Sequence, residues 1–256
     1  MKPSDRHDEI VRLVHRAGEV GVDELAERLG VSRETIRRDL SSLDLLGRIR
    51  KFHGGARMRS NSLLDAQAEG PFALRMAENQ EAKRKIAYAA AQLLSPGEAL
   101  FVDTGTTTVI LAEALLELPP LVVITNSCKV AATVASNDDH TVFLIGGAYG
   151  PDASETLGHF AVEQIRKFRA RHLFLTVGAI DDTSVMDFDA QETEIAQAMI
   201  ERADIVTVLA DSSKFGKRGI FEVASWDKID RLVTDRPPPA AIAEAARAAH
   251  VEILIA

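Results

Sequence analysis

The sequence predicts an α/β protein made of two domains, a small N-terminal one and a larger C-terminal one. Two patterns predict it. Apolar residues recur at helical spacing over residues 10–43, and a short basic segment with strand-like alternation follows them. From residue 99 onward, short runs of Val, Ile and Leu alternate with helical stretches, which is typical of a mostly parallel sheet with helices on both faces. The predicted boundaries are 1–57 for the first domain, 58–73 for a linker and 74–256 for the second domain.

Charge is distributed unevenly along the chain. The 256 residues carry a net charge of −8, yet residues 31–60 contain eight Lys and Arg against three Asp and Glu. A basic segment in an acidic chain favours a polyanion as partner. The single cysteine, Cys128, excludes a disulfide within the chain. The charged N-terminus and the lack of a long apolar run favour a soluble, cytoplasmic protein.

Three helices are predicted in the first domain. The first is indicated by apolar residues at spacings of three and four, namely Ile10, Leu13, Val14 and Ala17. The second lies between Gly21 and Gly30, and Gly30 is expected to end it as a C-cap. Ser32 is expected to begin the third helix by accepting a hydrogen bond from the amide of Glu34 or Thr35.

A basic hairpin is predicted after the third helix. Residues 48–53 alternate like a strand, and Gly54-Gly55 turns the chain back. Three helices followed by such a hairpin form a winged helix-turn-helix. We place the helix-turn-helix at about 20–41 and the wing at about 48–56.

A winged helix-turn-helix predicts binding to double-stranded DNA. The third helix is expected to enter the major groove, where Arg33, Thr35 and Arg37 reach base edges, because arginine can hydrogen bond guanine through two donors. The other members of the predicted DNA-binding set are Ser32, Arg38, Lys51 and His53, of which the last three are expected at phosphates. Asp39 would repel a phosphate, so it is expected to hold Arg37 or Arg38 or to cap a turn. One small domain binds modestly, so we expect a homo-oligomer that reads paired half-sites.

Short apolar runs predict seven strands in the second domain. They are Ala99–Val102, Leu121–Ile124, Thr141–Ile145, Leu173–Val177, Ile205–Leu209, Arg231–Val233 and Val251–Ile255. Helical stretches fall near 106–117, 127–135, 159–168, 190–203 and 239–249, and an earlier helix is predicted from about residue 74 to Leu94.

Small and polar residues follow four of these strands. In an open α/β sheet, ligands bind beyond the carboxyl ends of the strands. The resulting candidate site consists of Asp103, Thr104, Gly105, Thr106, Thr107, Thr125, Asn126, Gly146, Gly147, Asp211 and Lys214. The Thr-Gly turn opens a helix whose amides can hold a phosphate, and Lys214 can supply positive charge. A small anionic ligand is therefore expected here, although plain helix capping also explains a single turn of this kind.

The motifs described so far resemble those of the DeoR family of bacterial transcription regulators, across nearly the whole chain. The matching segments are Glu24–Ala26, Val31-Ser32, Thr35–Leu40, His53–Ala56, Asp103–Thr107, Thr125–Ser127, Gly146-Gly147 and Asp211–Phe215. The resemblance implies a sensor domain with a fold like ribose-5-phosphate isomerase. It also implies a repressor of sugar catabolism genes, assembled as a dimer or tetramer and released by a phosphorylated sugar or intermediate.

Two segments depart from the family pattern. Many relatives carry basic residues where this chain has Ala196 and Gln197, and a Gly-rich turn where it has Asp181–Ser184. The stretch Met186–Asp189 is similar to the branch that contains glycerol-3-phosphate-responsive regulators. The acids Asp187, Asp189 and Glu192 precede or begin a predicted helix, which explains them as helix-start residues. An alternative interpretation is that Glu192 reaches the candidate site.

Two other functions fit parts of the pattern. The first is a sugar-phosphate isomerase-like or acyl-transferase-like enzyme with an accessory DNA-binding head, in which Asp103, Asp211 and Lys214 act as acid–base groups. Against it, the sequence shows no activated nucleophile and no pair of carboxylates at a recognisable spacing. The second is an architectural DNA-binding protein without an effector. The seven histidines show no metal-ligand spacing, so neither a metal nor another cofactor is expected, and Cys128 is expected to be a small apolar residue.

Overall fold

The computed structural model describes residues 3–17, 19–46, 48–52, 54–57 and 70–256. The chain divides into two compact units, residues 1–74 and residues 75–256. Most of the predicted linker, and His53 of the predicted DNA-binding set, lie outside the described residues.

The N-terminal unit is a winged helix-turn-helix, as predicted. Its elements are α1 (Pro3–Ala17), β1 (Glu19–Gly21), α2 (Val22–Leu29), α3 (Arg33–Leu45), β2 (Arg50–Phe52) and β3 (Gly55–Arg57). The three strands form one antiparallel sheet in the order β1-β3-β2. Strand β1 was not predicted, because three residues between two helices give too short a pattern to recognise.

One apolar cluster holds the N-terminal unit together. Ile10 of α1, Leu25 of α2, and Ile36 and Leu40 of α3 are fully buried. Burying each such side chain contributes roughly 1.5–3 kcal/mol. Gly55 is required in β3, because a Cβ there would lie 2.4 Å from the Val20 carbonyl oxygen. The wing therefore packs closely against β1.

The C-terminal unit is built around a seven-stranded parallel sheet. All seven predicted strands are present within three residues of their predicted ends, as β4 (Ala99–Val102), β5 (Val122–Thr125), β6 (Thr141–Leu144), β9 (Ala170–Thr176), β12 (Ala203–Leu209), β14 (Arg231–Thr234) and β15 (Glu252–Ile255). The smaller strands are β7 (Ala148–Gly150), β8 (Glu155–Leu157), β10 (Ala179–Ile180), β11 (Ser184–Asp187) and β13 (Phe221–Ser225). Helix α4 (Phe72–Ala77) crosses the boundary between the two units, and the other helices are α5 (Gln80–Ala91), α6 (Thr106–Leu115), α7 (Cys128–Val134), α8 (His159–Ile165), α9 (Ala190–Ile200) and α10 (Ala240–Ala248).

The prediction of one helix from residue 74 to Leu94 is wrong. Two helices, α4 and α5, replace it, and the chain breaks at Asn79, whose φ of 52° is left-handed. The Asn79 side chain donates to the carboxylate of Asp211 over 3.0 Å. A contact with a residue 132 positions away fixes this break, so helical periodicity alone gave no sign of it.

The two faces of the parallel sheet are covered by different helices. Leu100 and Val102 of β4 pack with buried residues of α5, α6 and α7. Phe101, on the opposite face of the same strand, packs with buried residues of α8, α9 and α10. This three-layer arrangement confirms the predicted fold class. No helix in the part of the chain that the structure describes could span a membrane.

The strand order locates the point where a ligand is expected. The sheet runs β15-β14-β12-β9-β4-β5-β6. From β4 the chain proceeds through β5 to β6 at one edge, whereas from β9 it proceeds through β12 and β14 to β15 at the other. The order therefore reverses between β4 and β9. A reversal of this kind opens a crevice beyond the carboxyl ends of the two strands.

Candidate functional site

The third helix presents arginines on one side and core residues on the other. Ser32 begins α3, and its hydroxyl accepts from the Thr35 amide at 3.1 Å, which confirms the predicted cap. The side chains of Arg33, Arg37 and Arg38 are 66%, 61% and 80% exposed. Each forms an exposed ion pair, Arg33 with Asp23 and both Arg37 and Arg38 with Glu34, whereas the opposite side of the helix packs in the core.

Asp39 does not hold Arg37 or Arg38 and does not cap a turn, so that expectation is wrong. The residue is buried, and its carboxylate accepts from Arg6 at 2.6 and 3.1 Å and from the His7 Nε2 at 3.0 Å. Burial alone would raise the pKa of Asp39, but the hydrogen bonds from Arg6 and His7 outweigh it and the pKa lies below its usual value. Asp39 thus anchors α3 to α1.

The wing is attached to the C-terminal part of α3 through Lys51. Its backbone amide donates to Asp44 Oδ1 at 3.0 Å, and its ammonium group donates to the Ser41 hydroxyl at 2.7 Å. Ser41 in turn donates to the Arg37 carbonyl oxygen at 2.7 Å. Lys51 and Arg37 are therefore held beside each other at the exposed surface.

A groove of about 480 Å³ lies between α2, α3 and the wing. Its lining residues are Val22, Asp23, Arg33, Arg37, Lys51, Phe52 and Gly54. Arg33 Nε lies 2.8 Å from Asp23 Oδ1. Three of the predicted DNA-binding residues thus border one groove, and Asp23 orients one of them.

In the C-terminal unit, the loop after β4 lies at the reversal of the strand order. Gly105 precedes α6, and a Cβ on it would lie 2.0 Å from the Thr176 hydroxyl oxygen at the end of β9. Only glycine lets the loop pass this close to β9. Gly105 also leaves the first turn of α6 without a side-chain cap, so its amides face outward with the positive end of the helix dipole.

Cationic side chains of α4, α5 and the turn after β12 lie near one another. Lys83 is buried, and its ammonium group donates to the Arg75 carbonyl oxygen. Burial lowers the pKa of Lys83, Asp211 opposes this, and Lys214 and Arg75 lower it further. Asp211 is itself buried, accepts from Asn79 and Ser213, and begins the short helical turn Ser212–Lys214.

A group of carboxyls lies near the same crevice, drawn from four elements. Burial raises the pKa of Asp103, and Glu155 and Asp187 add to the effect. Burial raises the pKa of Glu155 to about 7, and burial with the charge of Glu155 raises the pKa of Glu192 to about 10. Arg75 partly offsets both shifts. Perturbation of this size is typical of functional sites.

The comparisons with known proteins agree across the whole chain. Residues 6–62 match the DeoR-like helix-turn-helix domain, and residues 78–236 match the DeoR C terminal sensor domain. The glycerol-3-phosphate regulon repressor of Escherichia coli (strain K12) is 34% identical over 254 residues, which cover 99% of each chain. The chain belongs to the DeoR family.

Two further similarities accompany the DeoR match. The HTH-type transcriptional repressor CsqR of Escherichia coli (strain K12) is 34% identical over 98% of this chain and 94% of its own length. The solved structure of ribose 5-phosphate isomerase A from Methanocaldococcus jannaschii is 17% identical, covers 55% of this chain and 56% of that chain, and has a TM-score of 0.41. The full-length relatives are transcriptional repressors, so this DeoR-family chain is a DNA-binding regulator and not an enzyme.

Several predicted residues of the DeoR sensor domain have structural duties that the sequence did not reveal. The Thr125 hydroxyl accepts from the Ser127 amide at 3.0 Å. Both backbone groups of Gly146 are bonded to the side-chain amide of Gln164 at 3.1 Å, so the Gly146 amide already has an acceptor. A Cβ on Gly147 would lie 2.6 Å from the Leu157 carbonyl oxygen, so this glycine permits close packing.

Sequence reasoning missed Arg75, Lys83 and Glu155. Lys83 carried a signal, because it precedes Ile86, Ala87 and Ala90 at spacings of three, four and seven on the apolar side of α5. A lysine at a core position of a helix indicates a buried cation with a specific partner. Arg75 and Glu155 carried no such signal, since neither follows a strand of the parallel sheet. Within the described ranges, no group of His, Cys, Asp and Glu side chains has the arrangement of a metal site.

Proposed function

We propose that this DeoR-family protein represses genes for carbohydrate or polyol catabolism in the cytoplasm and is controlled by a phosphorylated sugar or polyol. The observation that carries the proposal is the crevice between β4 and β9. It combines an uncapped helix start and nearby cations, which suit a phosphate, with buried polar side chains, which suit hydroxyl groups.

The N-terminal unit supplies the contacts to operator DNA. The residues that read base edges are Arg33, Thr35 and Arg37. Phosphates are contacted by Arg38, Lys51 and His53, and Ser32 completes the DNA-binding set. The exposed arginines of α3 and the wing held beside them support this assignment. Two such units in a homo-oligomer would read paired half-sites and supply the affinity that one lacks.

The crevice of the C-terminal unit supplies the effector site. The amides of Thr106 and Thr107 and the ammonium group of Lys214 bind the phosphate, while Asp103 and Asp211 accept from sugar hydroxyls. The burial of both aspartates beside these groups supports this assignment. The glycerol-3-phosphate regulon repressor at 34% identity makes a three-carbon polyol phosphate the first candidate.

Effector control requires that the ligand bind the DNA-releasing arrangement more tightly than the DNA-bound one. A coupling free energy of roughly 1–3 kcal/mol changes operator affinity about 5- to 150-fold. Each ligand shifts the affinity for the other by the same factor, so operator DNA should weaken effector binding equally.

A thermal-shift screen of the full-length protein against phosphorylated sugars and polyols tests the effector. A ligand of the native state raises the melting temperature by mass action. Lys214→Ala should weaken that response while operator affinity without effector stays unchanged. If no phosphorylated sugar or polyol raises the melting temperature, the proposed effector class is wrong. Loss of operator binding in Lys214→Ala would show that Lys214 maintains the structure instead.

A further inference from the structure

Resting on the effector site just proposed, we propose that Glu155 and Glu192 form a carboxyl pair that shares one proton and, with Asn126, binds hydroxyl groups of the effector's uncharged polyol part. Neither glutamate belongs to the set of residues assigned above to the effector site. The pair would decide which phosphorylated polyol is recognised, whereas the start of α6 and Lys214 would bind the phosphate common to all of them.

Geometry brings the two carboxyls together from separate elements. Glu155 begins β8 and is 4% exposed. Glu192 lies in the first turn of α9, which begins at Asp189. A hydrogen bond between the two side chains favours the ionised form of Glu155. Glu192 is half-buried. Two neighbouring carboxylates repel each other, which favours a state in which one carries the proton and donates to the other.

The charges around the pair favour retention of that proton. The acidic neighbours are Asp103 after β4, Asp187 at the end of β11 and Asp189 before α9, and the cationic neighbour is Arg75 of α4. Three acids against one cation raise the cost of ionising both glutamates. The pKa of about 7 for Glu155 and about 10 for Glu192 agrees with a single shared proton near neutral pH.

An unpartnered buried oxygen beside the pair indicates a ligand. Asn126 is fully buried, and its Nδ2 lies 3.2 Å from the Thr156 carbonyl oxygen and 3.5 Å from Glu155 Oε2. Its Oδ1 has no hydrogen-bond partner among the residues described. A buried acceptor left without a donor costs roughly 1–3 kcal/mol. A hydroxyl group of a ligand would supply the missing donor.

Thr104 adds a second polar group near Glu155. Its residue is buried, and its hydroxyl lies near enough to Glu155 to favour the ionised carboxylate. By strict geometry that hydroxyl forms no hydrogen bond within the described part of the chain. Asn126 and Thr104, each with a side-chain oxygen that lacks a hydrogen-bond partner among the described residues, therefore lie near the carboxyl of Glu155.

The chemistry of the pair matches a hydroxyl group and disfavours a phosphate. A protonated carboxyl donates and a carboxylate accepts, while a hydroxyl group can accept from the first and donate to the second. A phosphate would be repelled by the three surrounding aspartates.

The direct test of the shared proton is a pH titration of the full-length protein labelled with ¹³C at glutamate carboxyls. We expect one glutamate to titrate near pH 7 and another well above it, with Glu155→Gln and Glu192→Gln assigning the two signals. A titration in which every glutamate ionises below about pH 5.5 would overturn the pair. The wild-type titration is decisive even if the Gln variant of buried Glu155 fails to fold.

The test of hydroxyl recognition compares affinities of three variants by calorimetry. The probes are inorganic phosphate and the phosphorylated sugar or polyol that most stabilises the wild type in the thermal-shift screen. Glu192→Ala should lose about ten- to hundredfold in affinity for the polyol phosphate and keep its affinity for inorganic phosphate. Glu192→Gln should retain most of the affinity, because an amide donates as a protonated carboxyl does. Glu194→Ala, an exposed position two residues along α9, serves as the matched control.

The outcomes separate this inference from the proposed function. If the polyol phosphate stabilises the wild type but Glu192→Ala binds it equally well, the carboxyl pair does not contact the ligand, while the proposed effector class stands. If Glu192→Gln loses as much affinity as Glu192→Ala, the ionised carboxylate was required and the shared proton is wrong. If no phosphorylated compound stabilises the wild type, the proposed function fails first and this inference fails with it.

Discussion

The two units of the chain treat buried carboxyls in opposite ways. In the N-terminal unit, Asp39 is enclosed by Arg6 and His7, and its pKa lies below the usual value. In the C-terminal unit, Glu155 and Glu192 are enclosed chiefly with other acids, and their pKa values rise to about 7 and about 10. A paired acid stabilises the element it joins. An acid group without enough cations lowers stability, and proteins retain such an arrangement mainly at sites that bind or react.

The largest expected effect comes from removing the paired acid. Asp39→Ala should lower the free energy of unfolding of the N-terminal unit by about 3 kcal/mol, because it leaves the guanidinium of Arg6 buried without a partner. Asp8→Ala is the matched control, since its ion pair with Arg48 is similarly short at 2.8 Å but exposed, and it should cost less than about 1 kcal/mol. Urea unfolding followed by hydrogen exchange of α3 amides measures both. Equal losses in the two variants would show that burial of Asp39 has no energetic role.

The next effect concerns the loop that shapes the acidic crevice. Gly105→Ala should destabilise the C-terminal unit by about 2–3 kcal/mol and abolish the thermal response to effector, because the new Cβ would lie 2.0 Å from the Thr176 hydroxyl oxygen. Gly70→Ala is the control, since a Cβ there meets no atom within 4 Å. Urea unfolding monitored by the single tryptophan, Trp226, reports the C-terminal unit. A Gly105→Ala protein with unchanged stability would mean that β9 moves aside easily.

The contrast also predicts opposite pH dependences. The pKa of Glu155 is raised in the folded state, so protonated Glu155 stabilises the fold. This contribution is fully present below pH 4.5, the pKa of the unfolded chain, and is lost as pH rises through about 7. Glu155 alone should therefore lower the stability of the C-terminal unit by about 2 kcal/mol between pH 5 and 8, and Glu192, whose pKa is higher still, adds to the loss over the same range. The lowered pKa of Asp39 acts the other way, so its contribution is present above the unfolded pKa and is lost as pH falls through the folded one.

Tryptophan fluorescence for the C-terminal unit and hydrogen exchange for α3 follow these two dependences in the same samples. Glu155→Gln should flatten the decline of the C-terminal unit, and Asp39→Asn should remove the acid sensitivity of the N-terminal unit. Parallel pH profiles for the two units would contradict the contrast between them.

The smallest expected effect distinguishes base contacts from phosphate contacts. Arg37→Ala should cost about 1.5 kcal/mol on the preferred operator, or roughly tenfold in affinity, and should relax base preference. Arg38→Ala should weaken binding to all DNA sequences alike and reduce the salt dependence. Binding to a randomised DNA library at two salt concentrations measures both. A uniform loss in Arg37→Ala would reassign it to a phosphate.

Local signals in the sequence were sufficient for the elements of the fold. Runs of Val, Ile and Leu predicted all seven parallel strands, because both faces of this sheet are covered. Ser32 predicted the start of α3, because an N-cap acts within three residues. The small sheet of β10, β11 and β13 escaped prediction, since β10 has only two residues and α9 and β12 separate β11 from β13 along the chain.

Long-range partners were not predictable in the same way. The partners of Asp39 lie 32 and 33 positions away, and the partner of Asn79 lies 132 positions away. No pattern along the chain encodes such a pair. The effector site at the strand ends stays a prediction, and its acidic side was missed, because Glu155 lies on a hairpin outside the parallel sheet.

The central claim is that occupancy of the crevice controls the affinity of the winged helix for its operator. The most direct measurement is operator affinity of the full-length protein with and without the phosphorylated polyol that most stabilises it. The expected result is a fall of about 5- to 150-fold in the wild type and a much smaller fall in Glu192→Ala at the same effector concentration. Equal operator affinity with and without bound effector in the wild type would contradict the claim.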